Sequence, residues 1–181
     1  MSPNPALRER TIALVGLMGV GKSTIGRKLA AALDLPFKDA DQEIEAAAGC
    51  SISDIFAARG EAEFRAGERR VIARLLDEGP HVLATGGGAF MNPETRALLK
   101  QKAVTVWLKA DLEVLVRRCS RKDTRPLLVG RDPRTVLRQL IEERYPVYAE
   151  ADVALQTDDR PAQATVEAMI AELARRLEAA V

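Results

Sequence analysis

The sequence predicts an α/β protein, a parallel sheet with helices on both faces. Three observations lead there. Short, continuous apolar runs alternate with helical stretches along the 181 residues, the pattern of strands buried on both sides. A glycine-rich turn, Gly16-Leu17-Met18-Gly19-Val20-Gly21-Lys22-Ser23, joins the first run to the first helix. The last helix carries Val166, Met169, Ile170, Leu173 and Leu177 on one stripe, the 3.6-residue period of a helix with one buried face.

The first strand is Thr11-Ile12-Ala13-Leu14-Val15, and a helix follows over 22–33. Leu35 to Lys38 reads as a short second strand opened by Pro36. Helical stretches near 41–48 and 51–58 come next. Gly49 stops the first, and Ser51 with Asp54 resembles a capping box for the second. Residues 61–78 form a long helix ended by Gly79-Pro80. His81-Val82-Leu83-Ala84 is the third strand and runs into Thr85-Gly86-Gly87-Gly88. Pro93 opens a short helix, Val104-Thr105-Val106-Trp107-Leu108 is the fourth strand, and Asp111 caps the next helix. Residues 119–132 are polar, arginine-rich and broken by Pro126 and Gly130, so they read as a mobile loop. Pro133 starts a helix to about 149, and Val153-Ala154-Leu155 is the fifth strand. No repeat or linker interrupts this order, so residues 1–181 read as a single domain.

Composition narrows the function. Apolar residues make up 47% and charged residues 29%, which excludes a disordered or collagen-like chain. No apolar run reaches the ~18 residues of a membrane span, and MSPNPALRER lacks the apolar stretch of a secretory signal. Cys50 and Cys119 form no C-x-x-C, so both read as buried or half-buried thiols of a reducing cytoplasm. A net charge of +1 speaks against bulk nucleic-acid binding. The charge is uneven, however. Residues 39–63 hold seven acids and one base, and 117–138 hold eight bases and two acids. Two solvated surfaces would explain this; so would an acidic and an anion-handling flank of one cleft.

The glycine-rich turn matches G-x-x-x-x-G-K-[ST], the P-loop. Its glycines let the backbone curl so that N–H groups and the next helix N-terminus make a nest for phosphate oxygens. Lys22 brings positive charge to the β and γ phosphates, and the Ser23 hydroxyl suits Mg²⁺, a hard cation. Guanine-specific enzymes need N-K-x-D, and neither Asn4 nor Asn92 begins one. A small-molecule kinase is the class that fits. Asp39-Ala40-Asp41 follows the second strand, and extended chain turns two such carboxylates to opposite sides. One then suits Mg²⁺ and the other substrate; a pair of helix-capping acids is the competing reading. Three glycines after the third strand admit a ligand close to the backbone. Arg65, in Glu63-Phe64-Arg65, is by itself an ordinary helix-surface charge. His81, the one histidine, reads as structural.

Taken in order, these motifs resemble the shikimate kinase family. The P-loop, Asp39-Ala40-Asp41, Glu63-Phe64-Arg65, Gly86-Gly87-Gly88, Arg125-Pro126-Leu127-Leu128 and Arg144 before Pro146-Val147-Tyr148 carry the resemblance from residue 11 to about 160. It implies a three-layer α/β/α sandwich with a five-stranded parallel sheet in the order 2-3-1-4-5. It also implies a substrate subdomain at about 39–68 and a lid at about 119–132. The implied reaction moves the γ-phosphate of ATP to the 3-hydroxyl of shikimate, on the route to chorismate and aromatic amino acids.

The resemblance also implies roles. Gly19, Val20, Gly21, Lys22, Ser23 and Thr24 match the phosphate cradle, with Ser23 and Asp39 on Mg²⁺. Asp41 matches the residue that bonds the substrate hydroxyls, and Arg65 and Arg144 match the clamp on its carboxylate. Gly86, Gly87 and Gly88 match the triple glycine, with Gly87 as the substrate contact. Arg125 matches the lid arginine on the phosphates, and Arg118 and Arg160 match the adenine side. Lys22, Asp41 and Arg125 are thus the expected catalytic set. The expected protein is a cytoplasmic monomer with a small-molecule substrate and no nucleic-acid or membrane partner. A kinase for another polyol acid such as gluconate, and a non-catalytic ATP- or shikimate-binding module, are the competing readings.

Overall fold

The computed structural model describes residues 4–120, 128 and 130–180. After a 3₁₀ turn at Pro5–Glu9, the chain runs β1 (Thr11–Val15), α1 (Lys22–Leu33), β2 (Phe37–Asp39), α2 (Ala40–Ala48) and α3 (Ile52–Asp77). It continues through β3 (Val82–Ala84), a 3₁₀ turn (Ala89–Met91), α4 (Pro93–Lys102), β4 (Ala103–Lys109) and α5 (Leu112–Cys119). It ends with α6 (Pro133–Tyr148), β5 (Val153–Gln156) and α7 (Ala162–Ala179).

The five strands are all parallel, in the order β2-β3-β1-β4-β5. Every residue of β1 is buried, as a central strand covered on both faces must be. Packing of this kind contributes roughly 1.5–3 kcal/mol for each fully buried large apolar side chain. The predicted stripe of α7 behaves accordingly: Val166, Met169 and Leu173 are buried.

The register puts one row across the sheet. Asp39 lies opposite Ala84, Ala84 opposite Leu14, Leu14 opposite Val106, and Val106 opposite Val153. The residues that follow this row therefore leave the sheet at one edge. Those are the P-loop, the start of α2 and the triple glycine.

Several expectations change in detail. The second strand starts at Phe37 and ends at Asp39, because Pro36 has no N–H to give to the ladder. The two helices expected at 51–58 and 61–78 are both present: α3 consists of two helical stretches that meet at a kink at Gly60, whose φ 81° and ψ 174° are not helical. Asp39 and Asp41 are not two positions of extended chain: Asp39 is the N-cap of α2 and Asp41 lies in its first turn. Cys119 is buried, but Cys50 is exposed. The predicted lid falls largely outside the described residues, as does Arg125.

Candidate active site

The chain leaves β1 at Gly16, where φ is 149° and an added Cβ would stand 2.7 Å from the Leu108 carbonyl oxygen. Only glycine meets both conditions. No side chain caps the start of α1, which leaves its first-turn N–H groups for a ligand oxygen. Lys22 Nζ donates to the carbonyls of Gly16 at 2.6 Å and Leu17 at 3.0 Å, so its ammonium is held over its own loop. Ser23 Oγ donates to Asp39 Oδ2 at 2.7 Å. The other oxygen, Asp39 Oδ1, accepts from the Asp41 N–H at 3.0 Å and the Gln42 N–H at 3.4 Å. One carboxylate thus caps α2 and braces the P-loop hydroxyl, which reconciles the two readings of that acid.

A cleft of about 1240 Å³ opens along this edge. It exceeds the roughly 300–1,000 Å³ of a site for one small ligand. Every predicted site residue among those described lines it. At one end lie the P-loop, Arg118 and Arg160. Arg118 ties the loop to the segment after β5, donating to Val20 O at 3.0 Å and Asp158 O at 2.8 Å. Arg160 pairs with the Asp158 carboxylate at 2.8 Å and is exposed.

At the other end Asp41, Arg65, Arg144 and the triple glycine converge. A Cβ on Gly86 would stand 2.9 Å from Asp41 Oδ1, one on Gly87 3.2 Å from Arg144 Nη1, and one on Gly88 2.6 Å from Arg65 Cζ. The glycines therefore serve close approach: three charged heads lie where methyl groups would stand. Burial pushes the Asp41 carboxyl up, with Asp39 adding to the shift and Lys22 opposing it. A base tuned upward in this way is better matched to neutral pH.

Glu68 belongs to this end too, and sequence reasoning missed it. It is buried, with Oε1 accepting from Arg65 Nη1 at 2.9 Å and Oε2 lacking any hydrogen-bond partner among the described residues. Burial pushes its carboxyl up against the pull of Arg65. A signal was present. Phe64, Val71, Ile72 and Leu75 are the buried stripe of α3, and Glu68 sits on it at the i+4 position from Phe64. An acid on an apolar stripe is seldom a surface charge. Tyr148, the last residue of the Pro146-Val147-Tyr148 motif, is fully buried, and its hydroxyl donates to the Gly87 carbonyl. Trp107 is core, and Tyr145 packs edge-on against it with centroids 5.0 Å apart. His81 is buried, and its Nδ1 lies 2.7 Å from the Gly79 carbonyl oxygen, a structural role.

The charges sort into a phosphate-sized nest beside a compact pocket with two guanidinia and two carboxylates. That pocket suits a small anion bearing hydroxyls, since a guanidinium fork pairs with a carboxylate through two parallel bonds.

Comparison with known proteins points the same way. The family model "Shikimate kinase" matches residues 18–174. A shikimate kinase of Caulobacter vibrioides is 67% identical over 167 residues, spanning 92% of this chain and 84% of the relative. One of Brucella canis is 54% identical over 172 residues, spanning 95% and 86%. A solved shikimate kinase from Acinetobacter baumannii, in complex with shikimate, superposes with a TM-score of 0.91 at 36% identity, covering 96% of this chain and 98% of that one.

Proposed function

The chain belongs to the shikimate kinase family, and we propose that its cleft divides the ATP-dependent phosphorylation of shikimate between two ends. It is a kinase that transfers phosphate to an alcohol. The observation that carries the division is the convergence of Asp41, Arg65, Arg144 and Gly86 to Gly88 beside the P-loop in one cleft.

In this reading Gly19 to Thr24 cradle the phosphates of ATP, and Arg118 and Arg160 border its base. Arg65 and Arg144 clamp the shikimate carboxylate, and Gly86 to Gly88 let it approach the backbone. Asp41 accepts a hydrogen bond from the 3-hydroxyl and aims its oxygen at the γ-phosphorus. The new O–P bond forms as the bond to the β-phosphate oxygen breaks, the hydroxyl proton passes to the Asp41 carboxylate, and ADP leaves. Lys22 offsets the charge that develops on the transferred oxygens. Arg125, outside the described residues, takes the same task by the family resemblance. Segment 39–68 works as the substrate subdomain.

Ser23 Oγ and Asp39 Oδ2, 2.7 Å apart, form a hard oxygen pair that fits Mg²⁺. That ion commonly takes one or two protein oxygens and completes its shell with water and phosphate. When bound it supplies charge neutralisation on the phosphates. No helix among the described residues is long and apolar enough to cross a membrane. The reading extends to a cytoplasmic monomer without nucleic-acid partners.

The deciding experiment is ADP release with Mg²⁺-ATP and shikimate, gluconate, AMP or no acceptor in parallel. Turnover with shikimate alone is expected. Turnover with gluconate instead would move the substrate assignment. ATP binding without turnover on any acceptor would make this a binding module.

A further inference from the structure

We propose that Tyr148 is a positioning residue for the shikimate end of the cleft, locking the Gly87 peptide and the Arg144 guanidinium into one unit. The inference rests on the substrate reading above and adds to it a residue that does not itself line the cleft.

Three consecutive glycines are the most freely rotating stretch a chain can have. A binding loop built from them needs an outside anchor, or ordering it is charged against affinity. Two of the three carbonyls are anchored locally. Gly86 O accepts from Ala89 N at 3.2 Å and Gly88 O from Met91 N at 3.2 Å, inside the 3₁₀ turn. Among the described residues the Gly87 carbonyl has no such backbone partner; it accepts from the Tyr148 hydroxyl. Because the peptide is planar and trans, fixing that carbonyl also fixes the Gly88 N–H pointing the opposite way. Among the described residues neither the Gly87 nor the Gly88 N–H meets a protein acceptor.

The anchor is itself rigid. Tyr148 is fully buried, with its ring centroid 6.4 Å from Phe90, 6.0 Å from Trp107 and 6.3 Å from Tyr145. It lies one helical turn beyond Arg144 on α6, so the two side chains share a face. Burial raises the phenol to about 12, with Arg144 opposing the shift through its charge and a hydrogen bond. The hydroxyl therefore remains protonated and donating at any pH the protein meets. One phenol thus holds the triple-glycine loop and lies beside one of the two clamping arginines.

Tyr148→Phe removes only the hydroxyl and keeps the packing ring. It is expected to raise KM and Kd for shikimate about tenfold, the size of one buried hydrogen bond. KM for ATP should stay within twofold, and Tm within a few degrees. Tyr145→Phe is the control. Its hydroxyl donates to Ala110 O at 2.6 Å from the same helix and touches no glycine of the loop; shikimate KM should not move. A shikimate KM within twofold of the unaltered chain overturns the proposal while leaving the substrate reading intact. So does a parallel rise of both KM values with a fallen Tm, or a variant that does not fold, since the hydroxyl would then serve the fold. An unaltered chain that neither binds nor turns over shikimate removes the substrate reading, and this proposal with it.

Discussion

Gly88→Ala separates the clamp from the fold. Gly88 has φ −95° and ψ −6°, a region open to alanine. The backbone therefore bears no strain, and loss of glycine's freedom in the unfolded chain contributes about 0.4–1 kcal/mol in favour of the variant. The obstacle is steric. The new Cβ would stand 2.6 Å from both Cζ and Nη1 of Arg65, against ordinary carbon contacts near 3.5 Å or more. The guanidinium is the far end of a flexible side chain, so it gives way by about 1 Å instead of forcing the loop. That displacement strains its 2.9 Å bond to Glu68, whose carboxylate is buried and has no other hydrogen-bond partner among the described residues. It also spoils a two-point grip on a carboxylate, and a misplacement of that size costs up to ~100-fold. Steady-state ADP release over a shikimate series and an ATP series, with thermal unfolding beside it, measures each quantity. The expected result is a 10- to 100-fold rise in shikimate KM, ATP KM within twofold, and a Tm lowered by no more than a few degrees, since the strained Glu68 bond offsets the entropic gain. A shikimate KM within twofold of the unaltered protein would refute the reasoning, because Arg65 would then not be needed where it stands.

Three further predictions follow from the same geometry. Lys22→Met should lower kcat by about 100-fold or more with an unchanged far-ultraviolet circular dichroism spectrum; near-normal turnover would remove Lys22 from the phosphoryl oxygens. Asp41→Asn should lower kcat by about 100-fold and yet raise Tm at neutral pH. The sign follows from Asp41's carboxyl being pushed up by burial and by Asp39. Its ionised form is disfavoured in the fold, so the native stability it costs is fully present at high pH and vanishes as pH falls below the ordinary value of 3.8. An Asn variant less stable than the unaltered chain at pH 7 would contradict that. His81 is pushed below 6.5, by burial first, and its Nε2 lacks a hydrogen-bond partner among the described residues. The unfolded chain therefore takes up the proton first, and native stability is lost as pH falls below 6.5, by no more than about 1.4 kcal/mol per pH unit. Thermal melts from pH 8 to pH 5 should show a shallower acid decline in His81→Asn; identical slopes would exonerate His81.

Much of this protein was legible along the chain because the interactions concerned are local. Apolar runs, capping residues and proline positions mark strands and helix ends within a few residues of themselves, and the five strands begin and end within two residues of where those marks put them. The P-loop is likewise local: its glycines, lysine and serine act within one turn of backbone. Where local marks compete, placement is less sharp. Asp39-Ala40-Asp41 reads both as extended chain and as a pair of helix-capping acids, and it is capping that places Asp41 in the first turn of α2.

What tertiary structure alone decided is who meets whom at the carboxyl edge of the sheet. The Asp39–Ala84–Leu14 row depends on parallel register between strands that do not follow one another in the chain. That row brings Ser23 to Asp39 and the triple glycine to Asp41. Glu68 was an unremarked helix acid until packing of α3 turned it inward beside Arg65. Tyr148 and Gly87 are 61 positions apart, and their bond exists only because α6 crosses behind the loop that follows β3. Sequence determined the chemical parts, since residue type and short-range period are properties of the chain itself. The fold decided their charge states and partners, since burial and desolvation exist only once distant segments have closed over them.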